Sequence, residues 1–145
     1  MKVRRAMPED VSALAAIAEA SYRTAFSSIL EEEVLSSRNA AFFTRRFEAS
    51  WARMLVVCAG GIPAGFLLMT DGHIDMLFMD PAGSRKGGGS CLLHEAERCG
   101  AKSLECFRDN IAARRFYERH GWHPNREYER EFAGRSRSFV FYVKD

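Results

Sequence analysis

Apolar residues recur along this chain in two different periods, which divide it into predicted helices and strands. A spacing of three to four residues, typical of a helix with one buried face, starts at Pro8 and again at Glu31. The second region continues to about Trp51, and the polar residues 36–39 are expected to break it in two. Short apolar or alternating runs predict strands. The predicted strands cover residues 3–6, 53–58, 64–70, 73–79, 104–107, 122–132 and 138–143.

Two more helices are predicted in the second half of the chain. Residues 87–99 place Leu92, Leu93 and Ala96 on one face. Asn110 opens the last helix and Gly121 ends it, because Asn is a favoured N-cap and Gly is favoured just past a C-terminus. The order of elements predicts a mixed α/β fold of the α+β type, formed by residues 1–145 as a single domain. Its twisted mixed sheet should have six to seven strands, with helices on both faces.

The composition narrows the possible partners and location. With 47% apolar and 28% charged residues the chain is typical of a soluble globular protein, and its net charge of +2 is too small to indicate nucleic-acid binding. No apolar run approaches the roughly 18 residues of a membrane span, and the N-terminus lacks a signal-peptide core. The four cysteines lack CxxC spacing and the four histidines lack HExxH spacing. We therefore expect reduced thiols, no metal and a cytoplasmic location, and a homodimer is left open.

A glycine-rich segment, DPAGSRKGGGSCLL at residues 80–93, lies where a predicted strand gives way to a helix. Gly87, Gly88 and Gly89 allow close approach of a ligand to the backbone, and the first turn of a helix attracts phosphate. Arg85 and Lys86 add positive charge beside them. The segment does not match the Walker pattern, which needs Gly-Lys-Ser/Thr. It does not match the dinucleotide fingerprint either, because that motif needs glycines at its first, third and sixth positions and the last of these is missing. It predicts a site for a diphosphate-bearing cofactor.

A second motif lies in the last predicted helix. Asn110 and Tyr117 are seven residues apart, so they share one face to within roughly 20°. Ala113 lies between them on that face and leaves room for a ligand. The plainer alternative is that Asn110 is only a helix cap and Tyr117 only a core residue.

Together the two motifs resemble those of the GCN5-related N-acetyltransferase (GNAT) family. Its cofactor loop has Gln or Arg, two residues, Gly, one residue, then Gly or Ala, which falls here on residues 84–89. Ser84 stands where the family has Gln or Arg, and Gly88 where it usually has an apolar residue. The Asn, Ala-Ala, Phe-Tyr, Gly-aromatic order of residues 110–122 is similar to what the family shows after its fifth strand. The resemblance covers essentially the whole chain and implies the acetyltransferase fold, with acetyl-CoA as co-substrate.

The resemblance also implies direct attack of an amine on the thioester and assigns the residues for it. A backbone N–H within residues 77–79 would stabilise the oxyanion, and Tyr117 would protonate the leaving thiolate. His73 and Asp75 compete with water as the base, and they are expected to share one strand face. His73 falls where several members carry a glutamate base. The residues implied in cofactor binding are Leu77, Phe78, Met79, Ser84, Arg85, Lys86, Gly87, Gly88, Gly89, Ser90, Asn110, Ala113 and Tyr117.

The acceptor is the least determined part of this prediction. In the family the first helices and the final hairpin usually form its pocket, which makes Tyr22, Phe26 and Trp51 candidate lining residues. The leading interpretation is an N-acetyltransferase for a primary amine of a small molecule, such as a polyamine, an amino acid or an aminoglycoside-like amine. The alternatives are a protein or peptide N-terminal acetyltransferase and a non-catalytic acyl-CoA binding module, the latter favoured by Ser84.

Overall fold

The computed structural model describes residues 1–83 and 87–145 and contains a seven-stranded sheet. Each predicted strand is present, and the largest difference is at the start of the last strand, which begins at Arg135 rather than residue 138. The strands are β1 (Lys2–Arg5), β2 (Met54–Ala59), β3 (Ile62–Thr70), β4 (His73–Met79), β5 (Ser103–Phe107), β6 (Trp122–Phe132) and β7 (Arg135–Lys144).

The helices begin and end where the sequence places its caps and breaks. The Asn39 side chain accepts a hydrogen bond from the Phe42 N–H at 2.9 Å and so divides the second helical region, as predicted. Asn110 caps the last helix by accepting from the Ala113 N–H at 3.3 Å. None of the helices in the described ranges has the length and apolar character of a membrane span. They are α1 (Val11–Phe26), α2 (Glu32–Ser37), α3 (Ala40–Ser50), α4 (Gly88–Arg98) and α5 (Ile111–Arg119).

The helices cover both faces of the sheet, which confirms the predicted mixed fold. The strand order is β1-β2-β3-β4-β5-β7-β6, and β4 and β5 form the parallel pair in this sheet. On one face α1 and α3 pack through Leu14, Phe43 and Phe47, all fully buried. On the other, α4 packs through Leu92 and Leu93. The sheet thus separates two apolar cores, and a residue's position along a strand decides which core it joins.

A β-bulge in β4 changes that assignment partway along the strand. Leu68 of β3 pairs with Met76, but Met69 pairs with Ile74, so Asp75 is the extra residue. Strict alternation would place Ile74, Met76 and Phe78 on one face. Because of the bulge, Ile74 joins the core beneath α4, whereas Met76 and Phe78 pack in the core beneath α1 and α3.

Candidate active site

The centre of the sheet is open where β4 and β5 diverge. The two strands pair at only two positions, His73 with Ser103 and Ile74 with Leu104, and beyond them the pairing between these strands ends. The edge of β4 from residue 77 to 79 therefore borders a cleft instead of a neighbouring strand. The resemblance required this separation, because a ligand can pair with a strand only where another strand does not.

Hydrogen bonds show which backbone groups face the cleft. The Asp80 N–H donates to the Ala64 carbonyl of β3 at 2.8 Å, so Phe78, two residues earlier, also directs its N–H and C=O toward β3. Leu77 and Met79 consequently direct theirs toward the cleft. The Ser21 hydroxyl of α1 donates to the Met79 carbonyl at 2.7 Å. The sequence grouped Phe78 with the cofactor-binding residues, but its backbone faces β3 and its side chain lies in the core beneath α1.

Two glycines of the loop differ sharply in their surroundings. Gly87 caps α4 with a left-handed φ of +80°, and a Cβ there would meet nothing within 4 Å. A Cβ on Gly88 would lie 2.4 Å from the Met79 Cε, and one on Gly65 would lie 2.3 Å from the Met79 Sδ. The Met79 side chain therefore fills the space beside Gly88 and Gly65 that a side chain at either position would take. This packing explains why Gly88 stands where the family usually has an apolar residue.

A pocket of about 250 Å³ lies between the start of α4 and α5, and we call it the glycine pocket. It joins the exposed edge of β4 to the glycines of α4. The Ser90 hydroxyl at its rim lies 2.9 Å from the His120 Nε2. Ser84, Arg85 and Lys86, predicted to bind the diphosphate, lie outside the described residues. The residues lining the pocket are Leu77, Met79, Gly87, Gly89, Ser90, Ala113, Phe116 and Tyr117.

A second cavity of about 400 Å³ opens on the α1 and α3 side, and we call it the aromatic cavity. Tyr22 and Phe26 line it, as the sequence predicts, whereas Trp51 packs against the core at the end of α3 and is not part of its lining. The volume falls within the range of small-molecule sites. Its aromatic walls are Tyr22, Phe26, Phe42, Phe43, Phe78, Phe107, Tyr117, Phe132 and Phe139.

Tyr117 and Ala113 of α5, with Leu77 of β4, line both cavities. Tyr117 is 8% exposed, and burial raises its pKa, with the neighbouring Cys106 thiol adding to the effect. Its phenol therefore keeps its proton well into the alkaline range. The structure brings Asn110, Ala113 and Tyr117 to one site, as the helical spacing predicts, and Asn110 both caps α5 and lines the aromatic cavity.

His73 and Asp75 both line the aromatic cavity, but each has its own partner. The His73 Nδ1 lies 2.8 Å from the Ser103 hydroxyl, and the ring stacks on Phe141. Asp75 accepts a hydrogen bond from the Thr70 hydroxyl at 2.7 Å. Ser103, and not Asp75, is thus the hydrogen-bond partner that orients the His73 ring. When Nδ1 donates to Ser103, the lone pair of Nε2 is left for a proton.

Several charged residues line the aromatic cavity although no sequence pattern predicts them there. Glu105 of β5 lines the wall and is bonded by Arg130 and Tyr128 of β6. Burial opposes its ionisation, but these two bonds outweigh burial and lower the pKa of Glu105. Through these two bonds Glu105 joins β5 to β6 in the wall of the cavity. Arg38 and Arg46 also line the cavity. Only the pairing of distant strands and helices places these residues together.

Comparison with known proteins agrees with this geometry. The family model of the acetyltransferase (GNAT) domain matches residues 13–138. No curated protein has a significantly similar sequence. Among solved structures, the PaiA N-acetyltransferase of Thermoplasma acidophilum, in complex with coenzyme A, has a TM-score of 0.79 and 20% identity over 99% of this chain and 98% of that one.

Two further structures share the fold. A GCN5-related N-acetyltransferase of Rhodopseudomonas palustris has a TM-score of 0.76 and 25% identity, covering 99% of this chain and 94% of that one. The YncA protein of Salmonella typhimurium, a putative acetyltransferase with its cofactor acetyl-CoA, has a TM-score of 0.65 and 19% identity, covering 98% and 91%. The family that the two sequence motifs resemble is thereby confirmed, and this chain belongs to the GNAT acetyltransferase family.

Proposed function

We propose that this protein transfers the acetyl group of acetyl-CoA to a primary amine of a small molecule by direct attack. The observation that carries the proposal is the position of Tyr117, which lines both the glycine pocket and the aromatic cavity. A donor and an acceptor that occupied these two spaces would meet beside Tyr117. Similar folds bind coenzyme A in the Thermoplasma protein and acetyl-CoA in the Salmonella protein.

The glycine pocket fits the cofactor in its chemistry. Leu77 presents a backbone donor and acceptor, and Met79 a backbone donor, along a strand edge that pairs with no other strand, and an amide-containing arm could bond there. Gly87 leaves open space at the start of α4, where unpaired N–H groups favour phosphate. Arg85 and Lys86 would add cationic donors to the diphosphate.

Bound acetyl-CoA supplies the acetyl thioester and its leaving sulfur. The N–H of Leu77 or Met79 would stabilise the oxyanion, since both face the cleft, whereas that of Phe78 faces β3. Tyr117 would donate to the departing sulfur, because its raised pKa keeps the phenol protonated where a thiol near pKa 8.5 ionises. His73 would accept the amine proton at Nε2, directly or through water.

The size of the aromatic cavity supports a small acceptor. At about 400 Å³ it suits a small molecule, and its walls come from helices α1 and α3 as well as the last hairpin. A peptide acceptor would need a groove that continues past these walls. A binding module without activity would have no use for a buried phenol at the meeting point of the two spaces.

The experiment has two readouts on the same protein. Acetyl-CoA at 100 times its dissociation constant should raise the free energy of unfolding by about 2.7 kcal/mol, and desulfo-CoA should act similarly. A panel of small amines should then increase release of free thiol from acetyl-CoA above the rate without amine. A melting curve unchanged by millimolar acetyl-CoA would remove the cofactor assignment. Stabilisation without amine-dependent thiol release would indicate the binding module, and release with peptides alone would indicate the N-terminal acetyltransferase.

A further inference from the structure

The charges that line the aromatic cavity are not balanced in pairs. Glu105 and Arg130 form an ion pair across β5 and β6 and neutralise each other. Arg38, at the junction of α2 and α3, and Arg46 of α3 also line the cavity. No Asp or Glu within residues 1–83 and 87–145 forms an ion pair with either of these two arginines. The two arginines on the α3 side of the cavity therefore carry charge that no ion pair compensates, while Asp75 adds one carboxylate to the lining and the Arg46 side chain is exposed.

Arg38 is held in place by aromatic rings and not by a carboxylate. Its guanidinium carbon lies 4.6 Å from the ring centre of Phe42 and 5.6 Å from that of Phe132. Contact with a ring uses none of the five guanidinium N–H groups as a hydrogen-bond donor, so donors beyond the one directed to Tyr22 remain for a ligand. The side chain is half-buried, so it has lost part of its hydration. A preorganised fork of donors in an apolar wall is the arrangement that binds a carboxylate with two hydrogen bonds.

Tyr22 locates this positive charge inside the cavity. Burial raises the pKa of the Tyr22 phenol, and a hydrogen-bonding interaction with Arg38, together with the charges of Arg38, Arg137 and Arg46, opposes that rise. Arg137 is bonded to both oxygens of Glu31, at 2.8 and 2.7 Å, so its charge is already compensated. Arg38 and Arg46 thus supply the net positive charge beside the Tyr22 hydroxyl.

We propose that the acceptor is an amino acid, a small molecule that carries both an amine and a carboxylate, and that Arg38 binds the carboxylate. The inference rests on the acetyl transfer proposed above. Arg46 adds positive charge, and the rings of Phe42, Phe43 and Phe132 favour an apolar side chain. At the other end, His73 and Asp75 face the amine. A polyamine is disfavoured, because its second ammonium would meet Arg38 and Arg46.

The test compares each amino acid with its carboxamide, which keeps the shape and removes the negative charge. Leucine, methionine and phenylalanine are assayed with acetyl-CoA, each beside its amide, in wild type and in Arg38→Gln. Arg38→Gln should lower kcat/KM about 10- to 100-fold for the acids, the range for a charge-assisted bond, and less than about twofold for the amides. The ratio of wild type to variant cancels the intrinsic reactivity of each amine.

The controls separate this inference from the proposed function. Arg45→Gln changes the neighbouring exposed arginine of α3, which is not part of the cavity lining, and should leave both substrate classes unchanged. Stabilisation by acetyl-CoA should be equal in wild type, Arg38→Gln and Arg45→Gln. Arg38→Lys keeps the charge without the fork and should recover part of the activity, which also provides a folded variant if Arg38→Gln is unstable.

Two results would overturn the inference while acetyl transfer itself stands. One is an equal loss for acids and amides in Arg38→Gln, which would make Arg38 a purely structural residue. The other is a wild-type enzyme that acetylates polyamines but none of the amino acids. If no amine or peptide increases thiol release, the proposed function fails and this inference fails with it.

Discussion

The glycine pocket and the aromatic cavity meet at Tyr117 but differ in the chemical groups that form their walls. The glycine pocket combines backbone groups, at the edge of β4 and at the glycines that start α4, with the side chains of Phe116 and Tyr117. The aromatic cavity is formed by side chains from helices α1 and α3, strands β4, β5 and β7, and the β6 strand of the last hairpin. Backbone groups can serve the same ligand under many different side chains, whereas a wall of side chains changes with every substitution.

This difference indicates how the two halves of the site vary within such a fold. A cofactor that is common to many relatives needs only a strand edge, a glycine and a helix start. The proposed acceptor would instead be selected by rings and charges, such as Phe42 and Arg38, held on separate elements. Three substitutions, taken from the largest expected effect to the smallest, test whether the division holds.

Tyr117→Phe acts where the two regions meet and should have the largest effect. The change keeps the buried ring and removes only the hydroxyl, so turnover should fall about 10²-fold or more, the usual scale for general acid catalysis. The loss should appear in kcat, with little change in acetyl-CoA affinity or melting temperature. Steady-state kinetics and thermal denaturation measure both. Tyr142→Phe is the matched control, since that phenol bonds Arg114 and Glu118 and lines neither cavity. A near-normal kcat in Tyr117→Phe would contradict the role of general acid and leave Tyr117 as a core residue only.

Gly89→Val tests the backbone-built region alone. A Cβ at this position makes an ordinary 3.5 Å contact with Phe116, and the glycine has no left-handed φ, so the protein should fold. The added branch would enter the glycine pocket and weaken acetyl-CoA binding at least about tenfold, measured by calorimetry. Ala49→Val, an exposed position of α3, controls for a β-branched residue in a helix. If Gly89→Val folds and binds acetyl-CoA as tightly as wild type, the diphosphate must bind at another site. Gly87→Val should also weaken binding, but its left-handed φ adds strain.

His73→Gln tests the side-chain region and should have the smallest effect. A base must be unprotonated to act, so the rate should fall at low pH if His73 is the base, and the substitution should remove or shift this low-pH limb. The measurement is kcat/KM for the preferred amine against pH, with Asp75→Asn in parallel. An unchanged profile in both variants would leave water as the proton acceptor.

The sequence predicted the elements and the glycine pocket because both depend on local chemistry. Periodicity, the caps at Asn39 and Asn110, and the glycines at 87–89 are each visible within a few residues. The aromatic cavity could be predicted only in part. Tyr22 and Phe26 were found through the resemblance, but Arg38, Glu105 and Arg130 come together through contacts between elements far apart in the chain. The spacing of residues within one segment cannot predict contacts between segments that are far apart in the chain.

Asp75, the extra residue in β4, has a consequence for how this chain tolerates change. It shifts the phase of the strand by half a period, so that Ile74 and Leu77 face one core, and Met76 and Phe78 face the other. Loss or gain of one residue between His73 and Leu77 would turn the β4 side chains on one side of the change to the opposite core. Substitutions in this stretch change single contacts, whereas a change in its length would change what β4 contributes to both cavities. The length of the stretch is therefore under a stricter constraint than its sequence.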